Sequence, residues 1–297
     1  SGGTEWLKVQ NSTNTVFFNN TIQGNSGNGT IFLLGSHSFE FKNNTVKNNQ
    51  GHGLSVSSSN NSEISGNTIE ENSNYGVFSA SSKLLVVKNN VIQENGGGVK
   101  YVNCDYCNIT SSTIKDNTGR GIWLTSDSDN NYIQGTTVTG NNKDLAFLNS
   151  EDNFAFSITY SSISVDSSST FSIQADLDIK FKFDNGSAFP DVALALVSDG
   201  TKVYATPYYG GIDANSSSDG TVAPTFRLVY KFYDKDSTPD VITHVLKYHY
   251  GVRSNATVLD MSTTHTETVE LPFYWTKGLV RNIDQSISDF IVQLPSL

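Results

Sequence analysis

The chain has 297 residues, a formal net charge of −10 and 36% hydrophobic residues, with 19 Lys+Arg against 29 Asp+Glu. That apolar content suits one large or two ordinary β domains and excludes a disordered chain. The acidic balance, with no basic run, excludes a surface that tracks nucleic-acid phosphates, and no apolar run approaches the roughly 20 residues of a membrane-spanning helix.

The chain opens with Gly3-Thr-Glu-Trp-Leu-Lys-Val9, which reads as a partial coil much like Gly29-Thr-Ile-Phe-Leu-Leu34. Six related segments follow at intervals of 22 to 24 residues: Phe17-Phe-Asn-Asn-Thr-Ile22, Phe41-Lys-Asn-Asn-Thr-Val46, Ile64-Ser-Gly-Asn-Thr-Ile69, Val87-Lys-Asn-Asn-Val-Ile92, Ile109-Thr-Ser-Ser-Thr-Ile114 and Ile133-Gln-Gly-Thr-Thr-Val138. A fixed period of this size marks a solenoid whose units gain a core only by stacking on one another. Each unit has three short β-prone segments between turn residues and no 3.6-residue period, which predicts a right-handed parallel β-helix. Three residues after each closing Ile or Val stands an asparagine: Asn25, Asn49, Asn72, Asn95, Asn117 and Asn141. Coils about 4.8 Å apart stack like on like, so this column is expected to form a hydrogen-bonded ladder. The "NNTI…N…GI" units over residues 4 to 150 resemble the right-handed β-helix repeat family, including the periplasmic copper-maturation type and archaeal surface proteins. The resemblance implies the fold and leaves the activity open.

After Asn153 the period gives way to alternating segments, among them Phe171–Phe183, Val192–Val197, Phe226–Tyr233, Val245–Tyr250 and Thr266–Leu271. Period two with Gly, Pro, Asn and Asp turns predicts an antiparallel sandwich. The Asp184-Asn-Gly-Ser-Ala-Phe-Pro-Asp-Val192 stretch with Asp199-Gly200 and Asp219-Gly220 resembles the Ig-like modules of the carboxypeptidase-regulatory, transthyretin-like type, which implies a spacer or adhesion unit. The expected division is thus all-β throughout: a β-helix over 1–153 and an Ig-like β-sandwich over 154–297.

For chemistry, Glu71, Glu94 and Asp116 stand in successive units two residues past the first-strand apolar position. Stacked carboxylates could serve glycoside cleavage or bind Ca²⁺, but the equivalent Gly24, Asn48 and Gly140 favour a solvated edge, and no cofactor is expected. Cys104 and Cys107 are a disulfide candidate in a coil turn, with a buried thiol or an intermolecular bridge as alternatives. His37, His52, His244, His249 and His265 are scattered and predict no metal site. Trp123, Tyr75, Tyr132, Tyr208 and Tyr209 read as core or cross-strand pairs, with sugar stacking as the alternative. Sequons at Asn11, Asn19, Asn28, Asn43, Asn60, Asn108, Asn185, Asn215 and Asn255 favour a secreted glycoprotein. The start at Ser1 fits signal-peptide removal.

With no visible cap, the edge at Trp6, Leu7, Lys8 and Val9 would template another copy and give an open polymer. The expected function is therefore a non-enzymatic extracellular structural protein that self-assembles into a surface layer, sheath or filament. The alternatives are a carbohydrate-binding or polysaccharide-cleaving β-helix, a lyase or glycoside hydrolase, and an adhesin; surface glycans join other copies of the chain as expected partners.

Overall fold

A computed structural model of the chain describes residues 5–26, 29–234, 236–250, 253–259, 261 and 265–271. The sequon Asn28, the side chain of Trp6 and the stretch from Trp275 to Leu297 lie outside the described residues. Two compact units are formed, one from the described residues of Ser1–Gln174 with Lys231–Val241, the other from those of Ala175–Tyr230 with Ile242–Leu297.

The first unit is a solenoid of three parallel sheets. Strands Glu5–Gln10, Gly29–Leu34, Leu54–Ser57, Tyr75–Ala80, Gly97–Val102, Arg120–Thr125, Lys143–Leu148 and Ile163–Val165 form an eight-stranded sheet in chain order. Three-residue strands such as Thr21–Gln23, Thr45–Lys47 and Thr68–Glu70 make a six-stranded sheet that ends at Thr137–Thr139. A further sheet runs from Val16–Phe18 through Glu40–Lys42 to Tyr132–Gln134 and Asn153–Phe156. The expected change of architecture at 153/154 falls inside a coil: Asn153–Phe156 pairs in parallel with Tyr132–Gln134 on one side and with Phe171–Gln174 on the other.

Register explains the interior. Ile22, Val46, Ile69, Ile92, Ile114 and Val138 pair directly between coils and all are buried. Each such side chain contributes roughly 1.5–3 kcal/mol by leaving water. Tight corners separate the sheets, and the residues there take left-handed backbone: Asn48, Glu71, Glu94 and Asp116 have φ of 55° to 56°. Gly98 faces inward, where an added Cβ would lie 2.3 Å from the Gly121 carbonyl oxygen and 2.4 Å from Ile114 Cγ2, so glycine at the second position of the strand Gly97–Val102 is a packing requirement.

The asparagines form a directional ladder. The backbone N–H and Nδ2 of each donate to Oδ1 of the asparagine one coil further on, from Asn25 to Asn49, Asn72, Asn95, Asn117 and Asn141, at 2.8 to 3.2 Å. Asp144 receives the last bonds: Asn141 donates to its Oδ1, and the Ser161 N–H and hydroxyl donate to its Oδ2 at 2.8 and 2.7 Å. A second ladder, absent from the sequence reading, joins Asn20, Asn44, Asn67 and Asn90 and passes to Ser112. A third column is serine: Ser36 donates to Ser59, Ser59 to Ser82, and Cys104 to Ser128.

The far end of the solenoid is closed by Lys231–Val241. Lys231 and Phe232 pair antiparallel with Val241 and Asp240, the Tyr233 ring lies 6.0 Å from that of Phe171, and its hydroxyl meets Tyr160 at 2.8 Å.

The second unit has an antiparallel sheet ordered Thr201–Ala205, Ala193–Ser198, His244–Tyr250, Arg253–Leu259. Leu177–Phe183 pairs in parallel with His265–Leu271. Leu177, Phe181, Phe189, Leu194, Leu196 and Leu246 are fully buried in its core.

Two outcomes test this account. Asn95→Ala strips partners from Asn72, Ile69, Gln93 and Asn117, so urea denaturation is expected to show a loss of about 3 kcal/mol or more, against about 0.5 kcal/mol for Glu94→Ala at its exposed corner. Burial disfavours the Asp144 carboxylate, but the bonds from Ser161 and Asn141 outweigh it and hold its pKa below the usual carboxylate range. A depressed folded pKa gives stability that is present above the unfolded value of about 3.9 and lost as pH falls through the folded value. Asp144→Asn is therefore expected to be less stable at pH 6, with the gap to the parent closing in denaturation curves taken toward pH 2.

Candidate ligand-binding face

The eight-stranded sheet turns alternate side chains outward, and register places them in rows across the coils. One row runs Phe32, Ser55, Phe78, Lys100, Trp123, Ala146 and Ser164. In the neighbouring row Tyr75 pairs with Gly97, and Arg120 with Lys143. The Tyr75 ring occupies the space above Gly97, where an added Cβ would come within 2.4 Å of it. That bare rung lets the ring lie along the sheet, 6.2 Å from Trp123.

Cations cover these rings. Lys100 Nζ lies 3.7 Å from the centre of the Trp123 ring and 5.5 Å from that of Tyr75, and the Arg120 guanidinium lies 4.1 Å over Trp123. His52 stacks on Phe78 at 4.7 Å, and its Nδ1 accepts the Tyr75 backbone N–H, which leaves the imidazole proton on Nε2. Burial and the nearby Arg120 lower the Lys100 pKa; burial also raises the Tyr75 phenol, an effect Arg120 partly offsets. Beside these side chains a groove of about 300 Å³ is lined by Tyr75, Gly119, Arg120, Asn142, Lys143 and Ser164. The arrangement offers aromatic rings with cationic donors laid over them and a groove alongside, a surface suited to a sugar polymer that carries a negative group.

The other candidates fall elsewhere. Glu71, Glu94 and Asp116 are exposed corner residues, and among the described residues no group of three or more His, Cys, Asp or Glu could hold a metal ion. Cys104 and Cys107 are free thiols, both buried, which corrects the disulfide reading. Cys104 replaces a serine in the third column, with its thiol on Ser79 Oγ at 3.5 Å, and Cys107 Sγ accepts the Leu85 N–H at 3.4 Å. Each sulfur thus serves as a rung between coils. Contact with the Cys104 thiol, together with burial, pushes the Cys107 thiol above its ordinary range.

His37 Nδ1 accepts the Asn60 N–H, His244 is buried with Nε2 on the Val229 carbonyl, and His249 stacks on Tyr208 at 3.7 Å. Leu7, Lys8 and Val9 pair with Ile31, Phe32 and Leu33. Among the sequons Asn11, Asn19, Asn43, Asn185, Asn215 and Asn255 are exposed, while Asn60 and Asn108 are half-buried. Tyr75 and Trp123 were legible as aromatics in β segments. Their placement on the outer face needed the coil register, and Lys100 and Lys143 carried no signal of their own.

Residues 7–176 match the family described as the right-handed beta helix region, more than half of the chain, and the chain belongs to that family. No curated protein matches it. Several solved structures are similar, three of them as follows. A periplasmic alginate epimerase, AlgG in a mutant form, has 12% identity and a TM-score of 0.38 over 52% of each chain. Tailspike protein 2 from Escherichia coli O157:H7 bacteriophage CAB120 has 8% identity and a TM-score of 0.41, over 87% of this chain and 48% of that one. ORF18 of Geobacillus virus E2 has 10% identity and a TM-score of 0.32, over 75% and 60%. The chain thus spans about half to three fifths of those proteins, and the likeness is one of fold. An epimerase stands among the similar structures, so the fold gives no ground for the expectation that the chain is not an enzyme, and that expectation is withdrawn. None of the comparisons supports a surface layer, sheath or filament.

The free-thiol assignment predicts that a thiol reagent titrates no cysteine in the native protein and two after denaturation. Cys104→Ser is expected to change stability by less than about 1 kcal/mol, since serine fills that column in the neighbouring coils.

Proposed function

We propose that this chain binds polysaccharide along the outer face of its eight-stranded sheet. The observation that carries the reading is the continuous array of Phe78, Tyr75 and Trp123 with Lys100 and Arg120 over the rings. Aromatic side chains of this kind pack against the apolar faces of sugar rings, and the cations laid over them supply donors for hydroxyl groups. A linear polymer suits a solenoid because rows of side chains recur at the coil spacing of about 4.8 Å, so successive sugar units meet successive coils. The reading favours the carbohydrate alternative over self-assembly and moves the site from the carboxylate corner to the sheet face. An extracellular or cell-surface setting accords with it, as does an Ig-like spacer role for the second unit. The same face can act on the polymer it holds.

The test is native affinity electrophoresis through gels that contain neutral or acidic polysaccharides, followed by analysis of the polymer for new chain ends or altered sugar configuration. Retardation by at least one polymer is expected, weakened about tenfold by Trp123→Ala. Equal mobility in every gel would remove the reading.

A further inference from the structure

Resting on that reading, we infer that the ligand is an acidic polysaccharide, and that Arg120 and Lys143 together hold one of its carboxylate or sulfate groups at the groove. The two are register partners on adjacent strands, one coil apart, and both line the groove. Neither has a carboxylate partner among the described residues. Four other lysines of the solenoid are ion-paired, Lys42 with Glu40 and Glu63, Lys83 with Asp105, Lys88 with Glu63 and Lys115 with Asp116, and what sets Arg120 and Lys143 apart is that they are unpaired side by side at a groove. The acid next in sequence to Lys143 is Asp144, which is fully buried and already accepts bonds from Asn141 and Ser161.

A chain of net charge −10 thus gathers Lys100, Arg120 and Lys143 on one face without neutralising them. Holding like charges together costs free energy, and the lowered Lys100 pKa reflects both burial and the repulsion from Arg120. A bound anion would relieve it. The division of labour follows from geometry: Lys100 lies against the Trp123 ring and completes the stacking surface, while Arg120 and Lys143 reach the groove. The Arg120 guanidinium carbon lies 4.1 Å from the centre of the Trp123 ring while the residue lines the groove, and its planar fork of N–H donors can grip two oxygens of one acidic group. Nucleic acid fits less well, because three cations on an acidic chain neutralise few phosphates.

The experiment compares four probes in affinity gels at low salt and at 0.15 M: a uronic-acid polymer, the same polymer with its carboxyl groups reduced to alcohols, a sulfated polysaccharide, and single-stranded DNA. The uronate or the sulfated polymer is expected to retard the protein at least tenfold more strongly than the reduced polymer, with the effect weakened by salt; which of the two does so assigns the acidic group. Arg120→Gln with Lys143→Gln is expected to abolish that preference while retaining the residual binding to the reduced polymer that Trp123→Ala weakens about tenfold. Arg120→Lys with Lys143 intact is expected to recover part of the preference. Circular dichroism and the urea midpoint report whether each variant is folded. Equal retardation by the uronate, sulfated and reduced polymers, unaltered in the double variant, would overturn the acidic-ligand inference and leave polysaccharide binding standing. Retardation by DNA as strong as by either acidic polymer would overturn it as well. Passage through all gels unretarded would remove the underlying reading.

Discussion

The structure depends on one constraint: a polar group buried in a parallel coil must find a partner, and along the ladders that partner stands one turn away. Side-chain amides meet that constraint economically. Each asparagine in the principal ladder supplies one oxygen that receives two N–H groups from the preceding coil, and its own Nδ2 serves a carbonyl in that coil as well as the oxygen ahead. The bonds are buried in a low-dielectric setting, where they polarise one another and where a missing member is costly. Apolar columns supply the driving force for collapse. The ladders fix which residue stands over which, and thereby the register of all three sheets.

That register makes the face on the eight-stranded sheet. Side chains from sequence-distant coils become neighbours at one spacing, so Tyr75, Lys100, Arg120, Trp123 and Lys143 form a surface although they span 69 positions of chain. The scaffold is periodic and the face is not. Gly97 interrupts one row, Ala146 lowers the other beside Trp123, and between them the aromatic rings and cations stand proud.

Much of the solenoid was legible because its repeating signal is redundant. Six returns of an Asn-Thr-Ile step disclose both the period and the inward residues, and the invariant Asn25-to-Asn141 column announces the ladder. The second ladder was hidden in the same motif: Asn20, Asn44, Asn67 and Asn90 stand directly before the strand residues that drew attention, and Ser112 and Thr136 replace them later. The cysteines misled because a CxxC spacing carries strong meanings in other contexts, whereas here the serine at the equivalent position of adjacent coils decides the role of Cys104. The end of the solenoid was placed early, since Asn153–Phe156 alternates like a sandwich strand yet pairs as a coil. The binding face was the least legible part, because a lone Lys100 or Lys143 has no meaning until the coils are set in phase.

The direction of the ladder gives Asp144 a role in how such a chain can change over time. A carboxylate that only accepts can receive the final bonds but cannot pass them on, so it acts as a terminator of the series. Duplication or deletion of a whole coil upstream of Asn141 would reproduce donor and acceptor together and leave every rung matched. Downstream of Asp144 there is no amide rung to copy, since its carboxylate is met there by the Ser161 N–H and hydroxyl. Length variation among descendants of this gene should therefore accumulate on the N-terminal side of that residue, in steps of one complete turn.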